Sequence, residues 1–196
     1  DRAFTFVWDY LSPRFEVFTA DSGDEPFNIS KSYNLAAEKA GDWDKAIIHP
    51  PDVFVPADKL EEAVALVDDT GLVWPYKKRS RLTARQTEQF YAGRRDFPEK
   101  RYEGPVPPWV LTRKVWDTVG GFYEGLKGHG AEDSIFAHCA PVMCGRRRRL
   151  PGSLTVLFHP KPYTSEEVPE HDREFFAHQE ENKKMRAFFW SLKTPE

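Results

Sequence analysis

Between residues 2 and 71 the hydrophobic pattern keeps switching between helical spacing and strict alternation, and this rhythm limits the possible folds more than any other feature. Residues 2–11 suit an aromatic-rich helix closed by Ser12-Pro13. "RFEVFTAD" (14–21) alternates apolar and polar residues and runs into the turn residues "DSGD", the pattern of a strand and a loop. Residues 28–42 carry Ile29, Tyr33, Ala36, Ala37 and Ala40 at helical spacing and stop at Gly41. "KAIIHPPDVFVP" reads as a short strand, a Pro-Pro-Asp turn and a second apolar piece closed by Pro56. Residues 57–71 form an amphipathic pattern with Leu60, Val64 and Val67 on one face and Gly71 beyond its end. Such an order predicts an α/β fold, a mixed but mainly parallel sheet flanked by helices. The pattern opens on a helix, so the first strand of such a sheet is missing from it.

The remaining pattern extends the same plan. "GLVWPY" (71–76) predicts the next strand, residues 80–104 a polar region helical in part, and residues 104–122 a strand, a turn and a helix. "SLTVLFHP" (153–160) predicts the last strand and residues 169–192 the last helix. Residues 1–164 therefore form one α/β domain, and residues 165–196 a C-terminal helix that packs on it or extends from it. With 196 residues, fifteen Phe and six Trp, the chain has enough apolar material for a core.

The net charge of −3 gives no global case for binding nucleic acid or an anionic membrane. The basic runs "KKRSR" (77–81), "GRR" (93–95) and "RRRR" (146–149) are local, and a solvated connector is the plain reading of the last. Two cysteines, Cys139 and Cys144, cannot staple a chain of this size, which favours a reducing, cytoplasmic setting. No apolar run reaches a membrane span, and no leader pattern opens the chain.

"GGFYEGLKGHGAED" (120–133) holds five glycines and ends in Glu132-Asp133, so it spends backbone freedom just before a helical pattern. Ligands of open α/β sheets bind beyond the carboxyl ends of the strands. Polar clusters fall at such ends at residues 21–24, from His49 to Asp52 and at His159, and Glu132-Asp133 joins them if the glycine loop crosses the same edge. Carboxylates and a histidine from different strand ends suit a divalent cation that keeps positions open for a diphosphate. Plainer roles stand beside these: Asp52 as a turn residue, His159 as a structural histidine, and the acid pair as helix N-terminal charges. A zinc site of His129, Glu132, His138, Cys139 and Cys144 has the wrong spacing.

"SKSYNLAAEKAGDWDKAIIHPPDVFVPADKL" resembles the segment of GT-A-fold glycosyltransferases that leads through a strand to D-x-D and then V-P. "VGGFYEGLKGHGAED" resembles the G-G-F-D-E…G-W-G-G-E-D signature of the galactosyltransferase and polypeptide N-acetylgalactosaminyltransferase groups, "LFHP" their late metal-binding strand, and "ADSGDEPF" their nucleotide-base loop. The four matches come in family order across residues 17–160. The resemblance implies a GT-A-like fold and sugar transfer from a nucleotide diphosphate donor, usually a UDP-sugar, to an acceptor hydroxyl on a glycan, protein or modified base. It implies Mn²⁺ or Mg²⁺ on Asp52 and His159. It also implies the donor on Asp21, Ser22, Asn34, Trp74, Gly121 and Gly130, and an acceptor-side base at Asp133 with Glu132 beside it. Three positions depart from the family: Pro50 replaces the first aspartate of D-x-D, Tyr33 an arginine, and His129 a tryptophan. The first departure also fits a catalytically weak or inactive module that binds a nucleotide-sugar or a partner protein.

Overall fold

The computed structural model describes residues 2–24, 27–126, 130–159 and 180–189. Its elements run α1 (Arg2–Leu11), α2 (Ile29–Lys39), β1 (Lys45–Ile48), β2 (Val53–Phe54), α3 (Ala57–Leu66), β3 (Gly71–Trp74), β4 (Lys78–Arg81) and α4 (Ala84–Tyr91). They continue β5 (Lys100–Arg101), β6 (Trp109–Thr112), α5 (Arg113–Val119), α6 (Glu132–Cys144), β7 (Arg146–Arg149) and β8 (Ser153–Val156). Residues 180–189 are also helical.

Local chemistry sets the helix starts. The Asn28 side chain accepts from the Lys31 amide at the head of α2, and Thr83 and Gln86 form a reciprocal capping box on α4. Thr112 accepts from the Val115 amide, so α5 begins where β6 ends, with no intervening turn.

The strands form two four-stranded sheets, ordered β1-β6-β3-β7 and β2-β8-β4-β5. Within the first, β6 runs antiparallel to both β1 and β3, and β3 runs parallel to β7. In the second, β8 is antiparallel to β2 and parallel to β4, and β4 is antiparallel to β5. The architecture is thus mixed α/β, and the expectation of a mainly parallel sheet is corrected. Strict helix–strand alternation is already broken at the start, where α2 follows α1 and β2 follows β1, and β6 enters between β1 and β3 against the direction of both.

Central β3 and β6 are buried at every position, which explains their unbroken apolar runs "GLVW" and "WVLT". Trp109, Phe122, Phe136 and Trp116 form a continuous ring cluster that joins β6 to α5, α6 and the glycine turn. Gly71 is required for close approach. At φ 140° a Cβ there would stand 1.9 Å from the Arg146 carbonyl oxygen across the β3–β7 ladder.

Three further expectations change. Residues 16–24 are irregular rather than a strand, since alternation sets faces but supplies no neighbouring edge to pair with. Residues 78–81 form strand β4, which runs into the stretch 80–104 read as polar and partly helical. "RRRR" is the border strand β7, not a connector: Arg147 and Arg149 lay their guanidiniums 5.4 and 4.6 Å from the Trp74 ring centre, while Arg148 pairs with Asp68 at 2.8 Å. Period 2 is hidden when all four residues are the same. Most of the expected C-terminal helix (169–192) and of the segment 165–196 lies outside the described residues, as does His129.

Candidate functional site

Asp52 closes the turn between β1 and β2, where Pro50 and Pro51 leave the chain little freedom. Its carbonyl accepts from the Leu157 amide at 2.8 Å, and Val53 pairs with Val156, so the turn is sewn to the end of β8. This sewing sets His159 Nε2 3.5 Å from Asp52 Oδ2, with 52% of the histidine and 26% of the aspartate side chain exposed.

The acid pair opens α6. Ala131 precedes it with φ 75°, a left-handed conformation costly for a residue with a Cβ. Glu132 accepts from the Gly130 amide, and the helix N-terminus favours the negative charge of both acids.

These acids and Asp52 form one electrostatic group. Burial, then Glu132, then Asp52 hold the Asp133 carboxyl well above the usual carboxylate range. Burial, then Asp133, Glu132 and Asp52, raise the phenol of Tyr33 on α2 well above its ordinary value. No lysine or arginine among the described residues offsets the negative charge at Asp133 or Tyr33. His49 behaves differently: burial pushes it down to about 4, and its Nδ1–H donates to the Pro50 carbonyl at 2.8 Å. It is a neutral packing residue whose avoided protonation weakens the fold as pH drops from 6.5 toward 4.

The residues expected to hold the donor are mostly occupied with the fold. Asp21 accepts from the Gly23 amide at 2.9 Å, and buried Ser22 accepts from the amides of Asp24 and Asn28. Trp74 is 0% exposed and packs on Trp109, so its ring belongs to the core and not to an open site face. Asn34 clamps the glycine turn: its amide donates to the Phe122 carbonyl at 2.9 Å and to Glu124 at 2.7 Å, and its oxygen accepts from the Phe122 amide at 2.8 Å. Gly121, at φ 77°, lets this happen, since a Cβ would sit 2.8 Å from Asn34 Oδ1. Asn28 adds two bonds from its amide to the Glu124 and Leu126 carbonyls. Asn34→Ala should therefore cost about 2–3 kcal/mol in urea unfolding, because two backbone groups lose their partner at once. A loss below about 0.5 kcal/mol would show that the turn holds without the clamp.

The structure thus sets Asp52 beside His159 and near enough to Asp133 for their charges to interact, and it gives Asp21, Ser22, Asn34, Gly121 and Trp74 contacts within the fold. Tyr33 is the residue the sequence undervalued; its position on the α2 face that meets the glycine turn was the available signal. Two surface hollows of about 340 and 400 Å³ flank that turn, and neither is lined by Asp52, Asp133 or His159.

Among the described residues no group of three or more His, Cys, Asp and Glu is gathered tightly enough to hold a metal ion. The Asp52–His159 pair nevertheless suits two adjacent positions on one octahedral ion, whose neighbouring donors stand about 3 Å apart. Both side chains are partly open, which leaves the other positions to a ligand. No protein-family model matches the chain, and no curated protein matches it.

Proposed function

We propose that the chain is a GT-A-like glycosyltransferase that moves a sugar from a nucleotide diphosphate donor, a UDP-sugar, to an acceptor hydroxyl. The observation that supports this reading most is the Asp52–His159 pair, 3.5 Å apart and drawn from distant segments, with Asp52 near enough for its charge to raise the Asp133 carboxyl. Asp52 and His159 would hold Mn²⁺ or Mg²⁺, which when bound supplies positive charge for the diphosphate. Asp133 would take the proton from the acceptor hydroxyl, and a carboxyl held above its usual range is suited to that near neutral pH. Glu132 braces the loop through Gly130 and keeps the neighbourhood anionic.

A second reading, a module that binds a nucleotide-sugar without turning it over, draws on Pro50 and on a metal pair with no third protein donor among the described residues. One experiment separates the two. Slow, Mn²⁺-dependent hydrolysis of a UDP-sugar without acceptor is the expected result for the enzyme, and UDP-sugar binding without hydrolysis is that for the module. Asp52→Asn should weaken Mn²⁺ binding about 100-fold by titration calorimetry with the circular dichroism spectrum unchanged. Wild-type Mn²⁺ affinity in that variant would remove the metal assignment.

A further inference from the structure

Basic residues gather on three strands: three of the four residues of β4, both of β5 and all four of β7 are lysine or arginine. Among the described residues, β5 and β7 are borders of their sheets. Arg149 ties the two borders together, its Nη2 donating to the Glu103 and Gly104 carbonyls just beyond β5 at 3.0 and 2.7 Å. Aromatic rings hold the guanidiniums in a row. Arg147 and Arg149 lie 5.4 and 4.6 Å from the Trp74 ring centre, and Arg149 lies 5.7 Å from that of Tyr76. Tyr76 stacks on Tyr102 at 6.4 Å and 17°, and Arg79 sits 3.8 Å over Tyr102. Lys100 stands opposite Arg79 in the β4–β5 ladder. Of these nine basic residues, only Lys78, Arg101 and Arg148 have a carboxylate partner among the described residues: Glu99, Glu103 and Asp68. The net charge of −3 conceals this segregation.

We infer that this basic border binds the phosphodiester backbone of duplex nucleic acid without reading its sequence, whether or not the chain transfers a sugar. Cations clustered without counter-charges are the electrostatic footprint of such a partner, and each phosphate they neutralise releases condensed counterions. A guanidinium already pinned on a ring loses little freedom when its outer N–H groups take a phosphate. Trp74 and Tyr76 are 0% exposed and Tyr102 carries Arg79, so the rings are spent on the arginines and offer bases no platform. Binding of single strands relies on such platforms, whereas a duplex presents its phosphates without them. The same burial removes the apolar anchor on which a protein partner would centre.

The test is fluorescence anisotropy of a labelled mixed-sequence DNA duplex of about two helical turns, titrated with the protein across roughly 50–200 mM NaCl. The wild type should bind with a Kd of about 10⁻⁵ M at physiological salt, and log K should fall against log salt with a slope of about −4.5, as for about five phosphates. Combining Arg79→Gln, Lys100→Gln and Arg147→Gln should weaken binding about 30-fold and flatten the slope by about 3. Combining Arg2→Gln, Arg14→Gln and Lys114→Gln removes equal charge elsewhere and should leave the affinity within about two-fold. Thermal unfolding shows whether the first triple variant folds. If it does not, Lys100→Gln alone, at an exposed position of β5, should weaken binding about three-fold and decides the matter. No duplex binding, equal losses in the two triple variants, tighter binding of a single strand of the same length, or equally effective displacement by poly-glutamate overturns the inference. UDP-sugar binding, measured in parallel on the same proteins, reports on the glycosyltransferase reading alone, so either reading can fail without the other.

Discussion

Asp133→Asn should lower sugar transfer by about 10³-fold, leave UDP-sugar binding within about two-fold, and raise the melting temperature at pH 8. The catalytic part follows from removing the group proposed to take the acceptor proton, since a positioned base contributes roughly 10²–10⁴-fold. The stability part follows from charge. The wild-type carboxyl is held above its usual range by burial and by Glu132 and Asp52, so ionising it works against the fold. For a group whose folded value is raised, stability is intact below the unfolded value of about 3.9 and is lost as pH rises through the folded one. Asparagine carries no such penalty, so the gain in melting temperature should be present at pH 8 and vanish near pH 3.5. The helix dipole opposes this gain, because an anion on the first turn of α6 is favoured there, but burial is the larger cause. Thermal melts across pH 3.5–8 and a donor-to-acceptor transfer assay measure the two halves separately. Unchanged transfer removes the base assignment, and a melting temperature that falls at pH 8 removes the electrostatic one.

Phe136→Ala should cost about 3–5 kcal/mol, the range for deleting a buried aromatic ring, and lower the melting temperature by about 10 °C or more. Phe136 is 1% exposed, with ring centres of Phe122, Trp109 and Trp116 at 4.6, 5.6 and 5.8 Å. Four large rings meet there, so no single neighbour can collapse into the gap. The residue lies one turn after Asp133 on α6, so the cavity opens directly behind the acid pair. Phe136→Leu keeps most of the volume and should cost about 1–2 kcal/mol. Chemical unfolding of both variants checks the pair, and a cost below about 1 kcal/mol for alanine would mean that the cluster is not a continuous core.

Period was the most legible property of the sequence. The spacing of Ile29, Tyr33 and Ala37 fixed α2, and the apolar runs at Lys45–Ile48, Gly71–Trp74 and Ser153–Val156 appear as β1, β3 and β8. What period could not state is who pairs with whom. Residues 14–21 alternate as a strand should, yet no strand among the described residues pairs with them, and β6 reverses the expected sheet because its neighbours are chosen by three-dimensional packing. Of the candidate site, one proximity was legible. Strand-end logic brought Asp52 toward His159, and the turn-to-β8 hydrogen bond supplies the reason. For Asn34 and Gly121 the sequence could not show the clamp, because a clamp and a ligand site both call for an amide beside a glycine, and only coordinates show which partner the amide has.

Among the described residues, strand β7 stands at the border of its sheet. Such a border is a template on which another chain can build, and an apolar version would invite fibrils. A second copy approaching edge to edge would bring its own arginine row beside this one, with only Arg148 of each already paired to Asp68. A run that reads as a mere spacer would in this way disfavour edge-to-edge pairing between copies, an effect that belongs to the crowded solution as much as to the single chain.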